Sequence, residues 1–278
     1  MYVDYVLRER PGELVRNVLF VFQPAEEIGQ GAKPFIAAGV LDGAERVFGL
    51  HTAHDLRSGT VGLKPGLNNA AVDHFRIEVH GKSTHVSTPH LGTDALYIAS
   101  QIVVAVQGLV TRMTSPTEPV IIGIGCLNAG TTYNAVAEHA VMEGTTRTVS
   151  QESRDRIRRL VSETADSIAA IYGGTAEIVW TDFAAALIND AEVCREAAAV
   201  ADSLLGEGHV VTDRELSLSG DNFAEFELYR PGAYAYLGTG NPDKPHTVIS
   251  NHNGGFDVDE DALVTGAALY AGYALARL

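Results

Sequence analysis

Two adjacent carboxylates, Glu26 and Glu27, are the side chains of this sequence best suited to chemistry. They follow Val18–Phe22, five consecutive apolar residues that predict a strand buried on both faces of a parallel sheet. Pro24 ends the run, because proline cannot donate a hydrogen bond to a β-ladder. Since open α/β sheets bind ligands at the carboxyl ends of their strands, the Glu pair is predicted to lie at a ligand site.

The adjacent negative charges have two interpretations. Two like charges at a buried position are costly unless a cation or a shared proton relieves them. A metal ion bound by one carboxylate, with its neighbour acting as a base, would relieve that cost. The alternative is a solvated Glu pair at the start of a helix, where the helix dipole favours negative charge. The pair alone leaves both interpretations open, and charged residues in general are mostly exposed.

A histidine follows the next predicted strand and favours the metal interpretation. Arg46–Leu50 predicts a second buried strand, separated from the first by a short helix that ends at Gly39, and His51 stands at its carboxyl end. A right-handed strand–helix–strand unit would place His51 at the same sheet edge as the Glu pair. Carboxylate and imidazole groups are common zinc ligands, so a metal site is predicted there. His54 is predicted to lie in the following loop, in solvent.

The remaining elements predict an α/β fold with a second domain inserted into the first. His74–Val79 alternates polar and apolar residues, which is typical of a half-exposed antiparallel strand. The element order βαββαβ over Ala71–Asp182 is that of the ferredoxin-like split motif. We therefore predict a parallel-rich catalytic domain formed by residues 1–70 and 183–278, and an inserted domain formed by residues 71–182.

Composition restricts the location and the partners of the protein. The chain has 278 residues with 20 Lys plus Arg and 35 Asp plus Glu, and a net charge of −15 should repel nucleic acid and anionic membranes. Its apolar runs are shorter than a membrane span, and its first sixteen residues carry charges of both signs, unlike a signal peptide. Cys126 and Cys194 lie far apart without a Cys-x-x-Cys pattern, which favours a reducing cytoplasm.

A series of short motifs runs in a specific order from Val18 to the carboxyl end. It comprises Gln23-Pro24-Ala25-Glu26-Glu27, Phe48-Gly49-Leu50-His51, His80-Gly81-Lys82-Ser83-Thr84-His85, Asn134, Gly144-Thr145-Thr146-Arg147, and His252 followed by Phe256-Asp257-Val258-Asp259-Glu260. Together these motifs resemble the metal-dependent aminoacylase, hippurate hydrolase and auxin-conjugate amidohydrolase family of zinc exopeptidases. The resemblance implies a hydrolase that cleaves the amide bond of N-acyl amino acids or similar small conjugates.

The resemblance implies roles for four residues of the catalytic domain. In that family the first Glu of the pair is the general base and the second binds metal, which implies these roles for Glu26 and Glu27. The family's two ligand histidines correspond to His51 and His252. His246 rivals His252 on spacing alone but lacks the motif that follows it. The implied cofactor is a divalent metal, with zinc expected first and manganese, cobalt or nickel as alternatives, and with two ions in an intact site.

Other implied site residues lie in the inserted domain. The histidine of the Gly-Lys-x-x-His loop reaches the active site of the partner subunit in that family, which implies this role for His85 and a homodimer formed through the inserted domain. Asn134 and Arg147 match residues that bind the scissile carbonyl and the substrate carboxylate, and Gly238 matches a backbone contact to substrate. From the residues alone, Asn134 can equally be a turn residue, and Arg147, in a strand with Glu143 nearby, can be part of a cross-strand ion pair.

The sequence departs from the family pattern in two places. The family carries an upstream His-x-Cys-Gly-His-Asp motif, whereas the 25 residues before Glu26 contain neither Cys nor His. The family's Gly-x-Glu-Asp-Phe corresponds here to Gly220-Asp221-Asn222-Phe223, with one carboxylate fewer. We therefore expect a chain that lacks the first part of the catalytic domain and two metal ligands, and that binds one ion or none. The alternative function is a catalytically inactive homologue that acts only as a dimerising, weakly metal-binding module.

Overall fold

The chain folds into two compact units. The computed structural model describes residues 2–276. The first unit comprises the chain up to Asn68, Leu187–Leu216 and the chain from Asn222 onward, and the second comprises Asn69–Ala186 and Ser217–Asp221. Both units contain helices and sheets, so the predicted α/β fold class is confirmed.

Seven α-helices and ten strands make up the two units of residues 2–276. In chain order they are α1 (Tyr2–Glu9), α2 (Ala32–Ala37), β1 (Val47–Arg57), β2 (Val61–Gly62), β3 (Gly66–Asn69), β4 (Ala71–His80), α3 (Ala95–Met113), β5 (Ile121–Ala129), β6 (His139–Thr148), α4 (Gln151–Ile171), β7 (Thr175–Ala184), β8 (Leu187–Asn189), α5 (Ala191–Leu205), β9 (Val210–Val211), α6 (Phe223–Tyr229), β10 (Gly232–Gly240) and α7 (Asp261–Leu275).

A four-stranded mixed sheet with the order β1-β10-β2-β9 forms the centre of the first unit. Strand β1 runs parallel to β10, β2 runs parallel to β9, and β10 and β2 are antiparallel. Ala233 and Ala235 of β10 are fully buried in the core that also contains Ala197 of α5 and Leu269 of α7. Because alanine side chains are short, the two helices pack close to the middle of this strand.

The predicted buried strand at Val18–Phe22 is wrong. The segment has no regular secondary structure, and Leu19 is 61% exposed and Phe22 80% exposed. A buried strand needs ladder partners as well as apolar residues, and within residues 2–276 the ladder of β1 is formed with β10. Only Val21 of this segment packs against a small apolar cluster, beside Phe226. The apolar run by itself therefore does not predict a strand.

The second predicted strand is present but much longer than the sequence indicated. Strand β1 extends from Val47 to Arg57, because its parallel ladder with β10 continues from Val47–Gly232 pairing to Ala53–Gly238 pairing and beyond. His51 therefore lies inside the strand and not at its end. His54 also lies in the strand and not in a following loop, which corrects the prediction for that residue.

The second unit is an antiparallel sheet of order β5-β6-β4-β7 with α3 and α4 packed on one face. Phe75, Ile77 and Val79 of β4 are fully buried in that face, as the sequence alternation predicted. Helix α3 is the one helix of residues 2–276 long and apolar enough to cross a membrane. Ile98 and Ile102 of α3 are fully buried in the same cluster, so α3 is the core helix of this unit.

A buried ion pair joins the sheet of the second unit to its helix layer. Arg154 of α4 donates from Nε and Nη2 to the two carboxylate oxygens of Asp73, at 2.9 and 2.6 Å. Both side chains are almost fully buried. Removing one partner of such a pair leaves an uncompensated buried charge, which is strongly destabilising.

We predict that Asp73→Asn destabilises the protein by about 3 kcal/mol, because it removes the buried carboxylate that accepts both hydrogen bonds of the Arg154 guanidinium. Urea unfolding followed by circular dichroism measures this change. Glu163→Gln is the matched control, because it breaks an exposed pair with Arg159 and should leave the transition midpoint unchanged. Equal midpoints for the two variants would contradict the assigned role of the buried pair.

Candidate active site

The predicted site residues fall into two groups, one in each unit. The Glu pair belongs to the first unit and lies in a tight turn. Ala25 is left-handed at φ 58°, a single 3₁₀ turn spans Glu26–Ile28, and Gly29 is left-handed at φ 68°. Gln30 N donates to Ala25 O at 3.1 Å and Gly29 N donates to Glu26 O at 2.8 Å, which close the turn. The carboxylates are thus presented by two left-handed residues and not by a strand end.

Backbone strain in the described chain is concentrated at this site. Among residues 2–276, the non-glycine residues with positive φ are Ala25 at 58° and His252 at 65°. A left-handed conformation costs a residue with a Cβ about 1–2 kcal/mol. Such conformations persist where the surrounding structure imposes them, and they cluster at functional sites.

The structure brings Glu27 and His252 together. Glu27 Oε2 lies 3.9 Å from His252 Nδ1, and the two side chains are 75% and 74% exposed. A contact between two side chains so exposed contributes little to the stability of the fold. The carbonyl of His246, the rival on spacing, accepts from Ile249 N and Asp257 N within its own loop. The contact with Glu27 favours His252 as the ligand.

The hydrogen bond made by His51 determines its tautomer. His51 Nδ1 lies 2.7 Å from Thr52 O, and because a carbonyl only accepts, Nδ1 carries the proton. The lone pair on Nε2 is then free to bind a metal, as in histidine ligands fixed by a backbone carbonyl. Three residues further along β1, His54 Nδ1 lies 3.2 Å from Asn251 Oδ1. This contact tethers the loop that carries His252 to the strand that carries His51.

The three predicted ligands do not meet as one set. Within residues 2–276, three or more potential ligand atoms lie within 4.8 Å of one another at one place only, and that place is in the second unit. Glu27 and His252 therefore form a two-ligand arrangement, and His51 offers a separate nitrogen.

In the second unit, His85 is an exposed hydrogen-bond donor. Ser87 N donates to His85 Nδ1 at 3.2 Å, and since a backbone N–H can only donate, the ring proton is on Nε2. His85 forms an isolated bridge with Ala135, and Val86 N donates to Asn134 O at 3.1 Å. These backbone contacts bring His85 and Asn134 side by side.

Asn134 is exposed and its amide is oriented by a neighbour. Thr132 Oγ1 donates to Asn134 Oδ1 at 3.2 Å, which leaves the Nδ2 hydrogens available to a ligand. Thr132 and Ser87 are positioning residues that the sequence analysis missed. The available signal was their spacing, since each lies two residues from the side chain that it contacts, as in local turns made by Ser and Thr.

Arg147 combines a structural role with an uncompensated charge. Its guanidinium donates to Leu218 O at 2.9 Å, to Thr146 O at 3.0 Å, and to the hydroxyl of Thr145. Burial lowers the pKa of Arg147, but an arginine side chain remains protonated at neutral pH. Among the described residues no carboxylate lies within 4.0 Å of this guanidinium, so its positive charge is available to an anion.

The alternative of a cross-strand ion pair for Arg147 is wrong. In the ladders of β6, Arg147 lies opposite Val72 on one side and Ile121 on the other. Glu143, its proposed partner, contacts Arg76 and a histidine of β4 instead. The register of the sheet, which fixes these partners, is not visible in the local sequence.

Gly238 has a structural reason to be glycine. A Cβ at this position would lie 2.2 Å from Arg57 O, so no other residue fits without backbone movement. Its N–H donates to Thr60 O at 2.9 Å and is already used within the fold. The predicted backbone contact with substrate stays a prediction, and it is limited to the other backbone atoms of this residue.

A buried asparagine links the Glu turn to α6. Asn222 is fully buried, and its Oδ1 accepts from Gln23 Nε2 at 2.7 Å. Within the described chain its Nδ2 is a buried donor without a partner. Asn222 stands where the family motif has a carboxylate, and here the residue holds the segment that precedes Glu26.

Comparison with known proteins decides the family. The sequence pattern of peptidase family M20/M25/M40 matches residues 3–276. The chain belongs to this family. The M20 chain is 35% identical over 96% of its length to a Bacillus subtilis N-acetylcysteine deacetylase, and 35% identical over 94% of its length to an N-acetyl-L-cysteine deacetylase of that organism. The chain is therefore a homologue of hydrolases, as predicted.

A solved structure supports the same assignment. The M20 chain superposes with a TM-score of 0.81, at 32% identity and over 99% of its length, on a Bacillus subtilis protein described as a dinuclear metal binding peptidase of the M20 family. It spans 68% of that protein, and 68% and 60% of the two deacetylases. The M20 chain thus corresponds to about two thirds of the length of these relatives.

We predict that Ala25→Val destabilises the M20 chain by about 1–2 kcal/mol, because a β-branched residue is poorly tolerated at positive φ. Ala25→Gly is the control, since glycine adopts this conformation freely and should hold stability within about 1 kcal/mol. Thermal unfolding of the three proteins provides the measurement. A valine variant as stable as the glycine variant would show that this residue is not held in the left-handed conformation.

Proposed function

We propose that this chain is a metal-dependent amidohydrolase that cleaves the amide bond of N-acyl amino acids or similar conjugates. The observation that carries the proposal is the approach of Glu27 to His252 at 3.9 Å, beside Glu26 in a strained turn. Relatives named as deacetylases of N-acetylcysteine support this substrate class. The proposal rests on the types of these side chains and on their closeness, because the exposed contact between Glu27 and His252 contributes little to stability.

The donor set fits a divalent ion. Glu27, His252 and His51 offer one carboxylate and two imidazole nitrogens, a combination suited to zinc, while manganese, cobalt and nickel remain alternatives. The solved relative described as dinuclear supports a divalent-ion site in the family, and for this chain we propose one ion, held by Glu27 and His252. When bound, such an ion polarises a carbonyl group and acidifies water.

Glu26 is the proposed general base. Its carboxylate accepts a proton from the attacking water and delivers that proton to the nitrogen of the leaving amine as the amide bond breaks. The turn fixes the backbone on both sides of Glu26, so the base is held relative to Glu27. A base held in position needs less reorganisation during the reaction.

His85 and Asn134 are the proposed donors to the developing oxyanion. His85 Nε2–H and Asn134 Nδ2–H lie on adjacent segments, and both remain available to a ligand. The family resemblance assigns His85 to the site of the partner subunit, which requires a homodimer. Exposed apolar side chains on α3, Tyr97 and Val104, and the position of β5 at an edge of the sheet support dimerisation through this unit.

Arg147 is proposed to bind the free carboxylate of the amino-acid half of the substrate. A guanidinium recognises a carboxylate through charge-assisted hydrogen bonds, and no acidic side chain of the described residues competes for it. Burial of the guanidinium strengthens such an interaction, because fewer waters screen the two charges.

A cytoplasmic location is part of the proposal. Cys126 and Cys194 are both free, as expected for a reducing compartment. Burial raises the pKa of the Cys194 thiol to about 12, so this cysteine is unreactive.

We predict that Glu26→Gln abolishes hydrolysis of N-acetyl amino acids while bound metal is retained, because glutamine removes the base and leaves the ligands. Turnover of a panel of N-acetyl amino acids, with metal content measured on the same samples, tests this. Glu27→Gln is the matched control, and it should lose turnover together with the ion held by Glu27 and His252. Turnover retained by Glu26→Gln would remove this residue from its role, and hydrolysis of no panel member by the parent chain would favour the inactive, metal-binding module.

We predict that Arg147→Met raises the KM for N-acetyl amino acids by about tenfold or more and leaves their methyl esters nearly unaffected, because only the acids offer a carboxylate. Steady-state kinetics on acid and ester pairs provides the measurement. Arg159→Met, at an exposed position on α4, is the control and should change neither value. An equal loss on acids and esters would show that Arg147 acts only by anchoring Leu218.

A further inference from the structure

A second group of metal-ligand side chains lies on the exposed face of the sheet in the second unit. Glu78 and His80 are two residues apart on β4, so their side chains share one face. His139 is the direct partner of His80 in the ladder between β4 and β6. One potential ligand atom from each of these residues lies within 4.8 Å of the other two.

The distances suit a small divalent ion. His139 Nε2 lies 3.2 Å from Glu78 Oε2, and the rings of His80 and His139 are 5.2 Å apart between centroids. In a tetrahedral zinc site with bonds of about 2.0–2.1 Å, neighbouring ligand atoms lie about 3.3 Å apart. The group therefore needs little rearrangement to surround one ion.

The neighbours of Glu78 orient its carboxylate. Arg76 forms an ion pair with Glu78 Oε1, which leaves Oε2 directed at His139. On the other side of β4, Glu177 of β7 lies directly opposite Glu78, so two carboxylates and one guanidinium surround this position.

We propose that Glu78, His80 and His139 bind one divalent ion of the zinc class, with water completing its coordination. None of the three belongs to the ligands proposed for catalysis. All three lie on regular strands of one antiparallel ladder, so the site is held by backbone pairing and not by a loop.

The ion would cross-link β4 to β6 at the base of the segments that carry His85 and Asn134. Beyond the pair of His80 and His139, backbone hydrogen bonds continue to join the two segments. Gly81 N donates to Glu138 O at 2.8 Å, and Val136 N donates to Thr84 O at 2.8 Å. An ion bound here would therefore restrain the distance between these two segments where they leave strands β4 and β6.

Metal binding by matched variants tests the proposal. The background is the triple variant Glu27→Gln, His51→Asn and His252→Asn, which removes the three ligands proposed for catalysis. Titration with Zn²⁺ by calorimetry, and with Co²⁺ by visible absorption, is expected to detect one ion in this background. Adding His139→Asn or Glu78→Gln should weaken its affinity by about tenfold or more, as loss of ligand-sphere interactions does.

His74→Asn is the control, because His74 lies on the same strand beside Glu143 but outside the group, and it should leave binding unchanged. Circular dichroism and the thermal midpoint establish that each variant is folded. No ion bound in the background protein, or an affinity left unchanged by His139→Asn and by Glu78→Gln, would overturn the proposal and leave an ion pair only. Because the experiment measures metal binding and not turnover, failure of this proposal would be distinguishable from failure of the proposed amidase function.

Discussion

The parallel ladder between β1 and β10 is the constraint on which the first unit and its proposed site depend. It carries His51 and His54 on a single extended strand, and the small buried residues of β10 allow helices to cover it. His54 then holds Asn251, and with it the loop of His252. The proposed ligands His51 and His252, although remote in sequence, are therefore both positioned by strand β1.

Local strain adds a second level of organisation to this unit. Ala25 and His252 both adopt left-handed backbone conformations that are unfavourable for residues with a side chain. The exposed contact between Glu27 and His252 is too weak to compensate for that cost. Stability elsewhere in the fold maintains the arrangement, which is the pattern expected where a geometry serves chemistry.

In the second unit, the alternation of polar and apolar residues along β4 gives the strand two different faces. On β4, the apolar side chains build the core with α3 and α4, while the polar side chains on the opposite face form the proposed ion site. The ladder then continues beyond the end of the strand as paired segments that present His85 and Asn134. Their ring and amide are oriented by Ser87 and Thr132, so donor geometry is set by short polar residues and not by packing.

The sequence by itself determined the fold class, the family and the alternation of β4, because periodicity and motif order are local or sequential properties. The prediction for Val18–Phe22 was wrong, because an apolar run alone fixes neither a ladder partner nor burial, and Leu19 and Phe22 of this run are exposed.

Tertiary structure alone decided the length of β1, the approach of His252 to Glu27, and the partners of Arg147. Each depends on residues far away in the chain: strand register is set by the neighbouring strand, and a left-handed turn is imposed by its surroundings. The proton positions on His51 and His85 were likewise fixed by the acceptor or donor that the fold places beside each ring. Residue types establish which chemistry is available, and pairing between distant segments establishes where it is assembled.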